Sequence, residues 1–129
     1  MDSILTSIKK LLGITAEYTH FDDDLIIHIN STLSVLTQLG VGPATGFSIR
    51  DEFATWEEFI GDDPRLEMVK TYVHQKVKYM FDPPDRSAVA EAVKRHIDEL
   101  EFRLMVAAEE VASSTPVRDD PNSILDWGE

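Results

Sequence analysis

From Leu66 to Ala112 the apolar residues return every three or four positions, interrupted once by Asp82-Pro83-Pro84-Asp85. That spacing is one face of an α-helix, and a double proline forces a corner. The stretch therefore predicts a long helical hairpin. Its second arm, Ser87 to Ala112, carries Val89, Val93, Ile97, Leu100, Leu104, Ala107 or Ala108, and Val111 on one stripe. About 26 residues at roughly 1.5 Å each give a rod of about 39 Å. Its first arm opens at Asp63-Pro64, with aspartate as N-cap and proline at the first helical position. That arm has two stripes: Leu66, Val69, Val73, Val77 and Met80, and Met68, Tyr72, Gln75 and Tyr79. A helix apolar on two sides is central in its domain or sandwiched between core and partner.

Two shorter helices precede the hairpin. Ile4, Leu5, Ile8, Leu11 and Leu12 make one face of a helix from Ser3 to Leu12, and Gly13 stands where a left-handed cap is expected. After a connector, Ile14 to Phe21, Asp22-Asp23-Asp24 opens a second helix that buries Leu25 or Ile26, Ile29, Leu33, Leu36 and Leu39 and stops at Gly40. Carboxylates at a helix start cap free N–H groups and sit at the positive end of the dipole. A metal site is the sharper reading, but adjacent carboxylates diverge and no further ligand follows at loop spacing.

Val41 to Asp63 is irregular. Gly42, Pro43 and Gly46 break it, Phe47-Ser48-Ile49 alternates like a short strand, and Thr55 with Glu58 matches a capping box for one or two helical turns ending at Gly61. So long a loop is functional or disordered, and Phe47, Ile49, Phe53, Trp56, Phe59 and Ile60 make it too apolar for disorder. Those side chains either cover the core or face a neighbouring subunit. On the last helix Phe102, Met105 and Val106 lie off the inward stripe, as a partner surface would. From Ser113 the composition is that of a linker, ending in the apolar patch Ile124-Leu125-Asp126-Trp127. That patch suits a short docking motif or a segment folded back on its own domain. The expected architecture is all-α: a four-helix domain over residues 1–112, with a long irregular loop between the second and third helices, and an extended tail over 113–129.

Composition narrows the function classes. A net charge of −12 argues against binding nucleic acid by phosphate neutralisation, and is compatible with a protein that must stay soluble or with one that must let DNA slide past without sticking. No cysteine means no disulfide frame, thiolate metal site or cysteine nucleophile. No apolar run approaches the roughly 20 residues of a membrane span, and Met1-Asp2-Ser3-Ile4-Leu5 lacks the start of a signal peptide. His20, His28, His74 and His96 form no ligand motif. The serines and glycines form neither a nucleophile elbow nor a phosphate loop. No catalytic residue, metal or cofactor is expected.

The order of features is nonetheless specific. Leu11-Leu12-Gly13-Ile14 closes a short helix, and an acidic stretch opens a helix ending Leu39-Gly40. Phe47-Ser48-Ile49 and Thr55-Trp56-Glu57-Glu58-Phe59 occupy the loop. Val69-Lys70-Thr71-Tyr72-Val73, the Phe81-Asp82-Pro83-Pro84 corner and Glu99-Leu100-Glu101-Phe102-Arg103-Leu104 follow. Over about residues 1–112 this layout resembles the head–tail connector (adaptor) proteins of tailed bacteriophages. The resemblance implies a ring, usually of twelve copies, beneath the portal protein. Such a ring joins the portal to the next neck or tail component, with DNA passing through and no active site. It implies residence in the virion neck, after assembly in the host cytoplasm. On this reading Phe47, Ile49, Phe53, Trp56, Phe59, Ile60, Phe102 and Met105 are candidates for subunit contacts, and Ile124, Leu125 and Trp127 for docking. Two rivals stand beside it. One is an acidic DNA mimic that inhibits a nucleic-acid-binding protein. The other is a small metal-dependent hydrolase using Asp22 to Asp24 with a histidine.

Overall fold

A computed structural model describes residues 3–113, with side chains through Glu110. Five helices and no strand occur among the described residues: α1 (Ile4–Leu11), α2 (Asp22–Gln38), α3 (Trp56–Ile60), α4 (Leu66–Phe81) and α5 (Ser87–Ser113). The all-α expectation holds, with α3 as the short helical stretch anticipated in the loop. The predicted hairpin is α4 and α5, turned by Asp82-Pro83-Pro84-Asp85.

Local signals set most boundaries. Ser3 caps α1 by accepting from Thr6 N–H at 3.1 Å. Beyond α1 the Ile14 N–H reaches Lys9 C=O, and beyond α2 the Val41 N–H reaches Leu36 C=O. Both closures need a left-handed residue in between, supplied by Gly13 (φ 81°) and Gly40 (φ 88°). Thr55 and Glu58 form the expected capping box, with N–H to side-chain oxygen distances of 3.2 and 3.0 Å.

Three expectations are corrected. The acidic triplet does not cap α2: the N-cap is Phe21, which makes no side-chain bond. Asp22 instead pairs at 2.8 Å with the buried ammonium of Lys9, which also donates to Ala16 C=O. A buried cation requires such partners, so the triplet's first member neutralises Lys9, while all three acids lie in the first turn of α2 near the positive end of its dipole. Asp63 caps a turn and not the helix itself. It accepts from the Arg65 N–H and guanidinium, and α4 begins at Leu66. Phe47-Ser48-Ile49 is not a strand. The Asn30 side-chain amide gives Ile49 both bonds that a strand neighbour would, donating to its C=O at 2.9 Å and accepting from its N–H at 2.7 Å.

Helix α4 is central, packing against α1, α2 and α5. Val69, Tyr72, Val73 and Val77 are buried, which accounts for its two apolar stripes. Phe21 at the start of α2 meets Phe81 at the end of α4 edge-on at 5.2 Å, so these helices run antiparallel. The end of α5 returns to the end of α2, where Ala108 lies under Gly40. Ile97, Leu100 and Leu104 seal α5 onto the core. Tyr72 donates to Glu101 at 2.7 Å, and Lys76 reaches the same carboxylate at 3.2 Å. Burial and then Glu101 raise the Tyr72 phenol far above its ordinary pKa, so it stays a donor. Val89 and Leu11, both on predicted inward stripes, are exposed. Val111 lies beyond the described side chains.

Candidate assembly surfaces

The long loop, Val41 to Asp63, is bound to the helices along its length. Ile4 N–H donates to Ala54 C=O at 2.9 Å, beside an antiparallel bridge between Ser3 and Thr55. The Trp56 indole is only 2% exposed, its N–H donates to Ser7 Oγ at 2.9 Å, and the Lys70 ammonium stands 6.0 Å from its ring centre. Phe59 packs on Phe47 at 5.3 Å between ring centres and lies under Gly42. Gly42 has φ +84°, and a Cβ there would sit 2.5 Å from the Phe59 ring, so the backbone conformation and the close approach both demand glycine.

This anchoring divides the candidate contact residues. Ile49, Trp56 and Phe59 are buried in the chain's own core, so they have no surface to give a neighbour and act as supports. Phe47 and Ile60 are half-buried against that core. Phe53 alone of the six faces outward, 75% exposed, on a turn closed by its N–H to Asp51 Oδ1 at 2.9 Å. A shallow cleft of about 450 Å³ lies beside it, walled by Phe47, Arg50 and Glu58. On α5 Phe102 is 61% exposed, next to an exposed Glu99–Arg103 ion pair at 2.7 Å, while Met105 is half-buried. Ile124, Leu125 and Trp127 lie outside the described residues.

Asn30→Ala is expected to cost about 1–3 kcal/mol, because it leaves the inward-facing amide and carbonyl of Ile49 unpaired. Urea denaturation checks the loss, and faster exchange of the Ile49 amide locates it. A stability equal to wild type would show that Asn30 does not hold the loop.

Three features escaped the sequence reading. Tyr18, His20, Phe21 and Phe81 form an aromatic cluster where the α1–α2 connector meets the end of α4. The run Tyr18-Thr19-His20-Phe21 was its signal. Ile27 stands exposed on α2. A groove of about 690 Å³ separates α1 from α4. His74 lines that groove with Nε2 buried and unpartnered, and burial followed by the Lys78 charge lowers its pKa below 6.5. A lowered histidine pKa contributes stability present above the unfolded value and lost as pH falls through 6.5 toward the folded value. Stability is therefore expected to fall as pH drops through 6.5, with His74→Gln flattening that slope in urea titrations. An unchanged slope in the variant would remove His74 from the account.

No group of three or more His, Cys, Asp or Glu that would hold a metal occurs among the described residues, and none of their helices is long and apolar enough to cross a membrane. The surfaces are apolar side chains set on a tied-down loop and a long helix, suited to holding a partner. The model of the phage connector protein family matches residues 4–111, and the chain belongs to that family. The match covers all five helices up to the last turn of α5, including both outward phenylalanines. The family is one of structural proteins, which points to a head–tail connector role. No match was found among curated proteins or among solved structures.

Proposed function

We propose that this protein is a phage neck adaptor that forms a ring, of the twelve copies usual for such adaptors, under the portal and joins it to the next neck or tail component. Membership of the connector family over residues 4–111 carries this reading. A ring requires two different patches on each copy, one docking on the other's counterpart so that rotation closes the circle. Phe53 on the loop and Phe102 on α5 supply two such patches on separate elements. Phe47, Ile60 and Met105 border them, and Ile49, Trp56 and Phe59 hold the loop in place from below. The net charge of −12 suits a channel that DNA crosses without adhering. Residues 1–112 form the connector unit, and Ile124, Leu125 and Trp127 in the 113–129 segment act in docking. The protein works in the virion neck after assembling in the host cytoplasm, and it performs no catalysis.

Native mass spectrometry with negative-stain imaging, on the protein alone and mixed with portal and neck components, tests the reading. Rings, alone or only on a partner, are the expected result. A monomer that ignores every neck component and captures a DNA-binding protein would overturn it in favour of DNA mimicry.

A further inference from the structure

The groove between α1 and α4 is lined on one side by Lys10 and Leu11 and on the other by Lys70, Thr71 and His74, with Trp56 also in its lining. It asks for an occupant of mixed chemistry. Leu11 is 54% exposed, although Ile4, Leu5 and Ile8 of the same helix are fully buried. Lys10 and Lys70 outnumber Glu67 among the lining residues, a local positive balance on a chain of net charge −12.

The segment after α5 has the matching composition. Between Asp119 and Glu129 it carries four carboxylates, Asp119, Asp120, Asp126 and Glu129, no cation, and the apolar side chains Ile124, Leu125 and Trp127. It is also within reach. Ala108, near the end of α5, lies against Gly40 at the end of α2, and α2 and α4 are antiparallel, so α5 finishes at the end of the bundle where α4 begins. The groove's α4 residues occupy the first turns of that helix. Ile124 lies eleven positions beyond Ser113, and extended chain covers about 3.3–3.6 Å per position, or about 36–40 Å. We propose that the α1–α4 groove is the receptor for the Asp119–Glu129 segment of this chain, with Leu11 receiving the Ile124–Trp127 patch and the lysines its carboxylates. This goes beyond the proposed adaptor role, placing the tail on its own domain in the free chain, and it does not depend on ring size.

The chain has no cysteine, so disulfide trapping in the full-length protein is clean. Thr71→Cys with Gly128→Cys places one thiol on the groove and one in the segment while keeping Lys10, Leu11, Lys70, His74 and Trp127. Ser31→Cys, exposed on α2, with Gly128→Cys is the control. Because docking raises the local concentration of one thiol near the other, the groove pair is expected to oxidise about tenfold faster than the control. Lys10→Glu and Trp127→Ser should each slow the groove pair toward the control rate, and circular dichroism checks that the variants fold. A disulfide within one chain is the expected result; one between chains would assign the groove to a neighbouring copy's segment and overturn the proposal. Equal rates for the two pairs, or a fast rate indifferent to both substitutions, would overturn it. Rings that still form while the rates are equal would leave the adaptor reading standing and remove only the groove.

Discussion

Trp56→Ala is expected to lose about 3–5 kcal/mol of stability, the cost of emptying a buried tryptophan site. A domain of this size has about 5–15 kcal/mol in total, so the variant stands at or near unfolding. The reason is local. The indole is buried beside the groove between α1 and α4, and its N–H holds Ser7 Oγ at 2.9 Å. Truncation removes that bond together with the packing that ties the loop to α1. Trp56→Phe keeps most of the ring and loses the hydrogen bond, so its cost should be smaller, about 1–2 kcal/mol. Urea denaturation of both variants checks the order. A Trp56→Ala midpoint close to wild type would mean that the loop is not anchored through this side chain. The consequence for assembly is direct: failure of Trp56→Ala to form rings would report a damaged fold and say nothing about an interface.

That consequence marks where the sequence stops being informative. Helical spacing from Leu66 to Ala112, the Asp-Pro-Pro-Asp corner, the Thr55–Glu58 capping box and the glycines at 13 and 40 all act through neighbours three to five residues away, so they are legible in one dimension. Whether an apolar loop residue faces its own core or another chain is decided by contacts far along the sequence. Trp56 meets Ser7, 49 positions away, and Ile49 meets Asn30, 19 positions away. Nothing in Phe47-Ser48-Ile49-Arg50-Asp51-Glu52-Phe53 distinguishes the buried Ile49 from the exposed Phe53. Lys9 shows the same limit from the polar side. A lysine on a short amphipathic helix reads as solvated, yet it is buried and takes Asp22 away from its expected capping role. Phe102 was legible because it breaks the α5 stripe, and the fold leaves it exposed. Leu11 obeyed the stripe of α1 and is exposed as well, since the stripe is wider than the surface available to cover it.

Phe53→Asp is the substitution that separates interface from fold. The side chain is 75% exposed, so its loss should change stability by no more than about 0.5 kcal/mol. At the centre of an interface an aromatic anchor contributes about 2 kcal/mol or more, which is more than tenfold in affinity at each joint. Since every copy in a ring repeats the same joint, Phe53→Asp is expected to abolish closed rings under conditions where wild type forms them. Phe102→Asp should do the same from the other side. The two together make a stricter test. If the Phe53 patch of one copy docks on the Phe102 patch of the next, then Phe53→Asp retains a sound α5 face and Phe102→Asp a sound loop face. Mixed, the two variants can restore one wild-type joint but never a second, so equimolar mixtures should give dimers by native mass spectrometry where each variant alone gives monomers. Rings from Phe53→Asp alone would remove the loop from the interface. Dimers from one variant alone, in place of the mixture, would show that the contact joins like patches, and an interface of that symmetry cannot propagate around a ring.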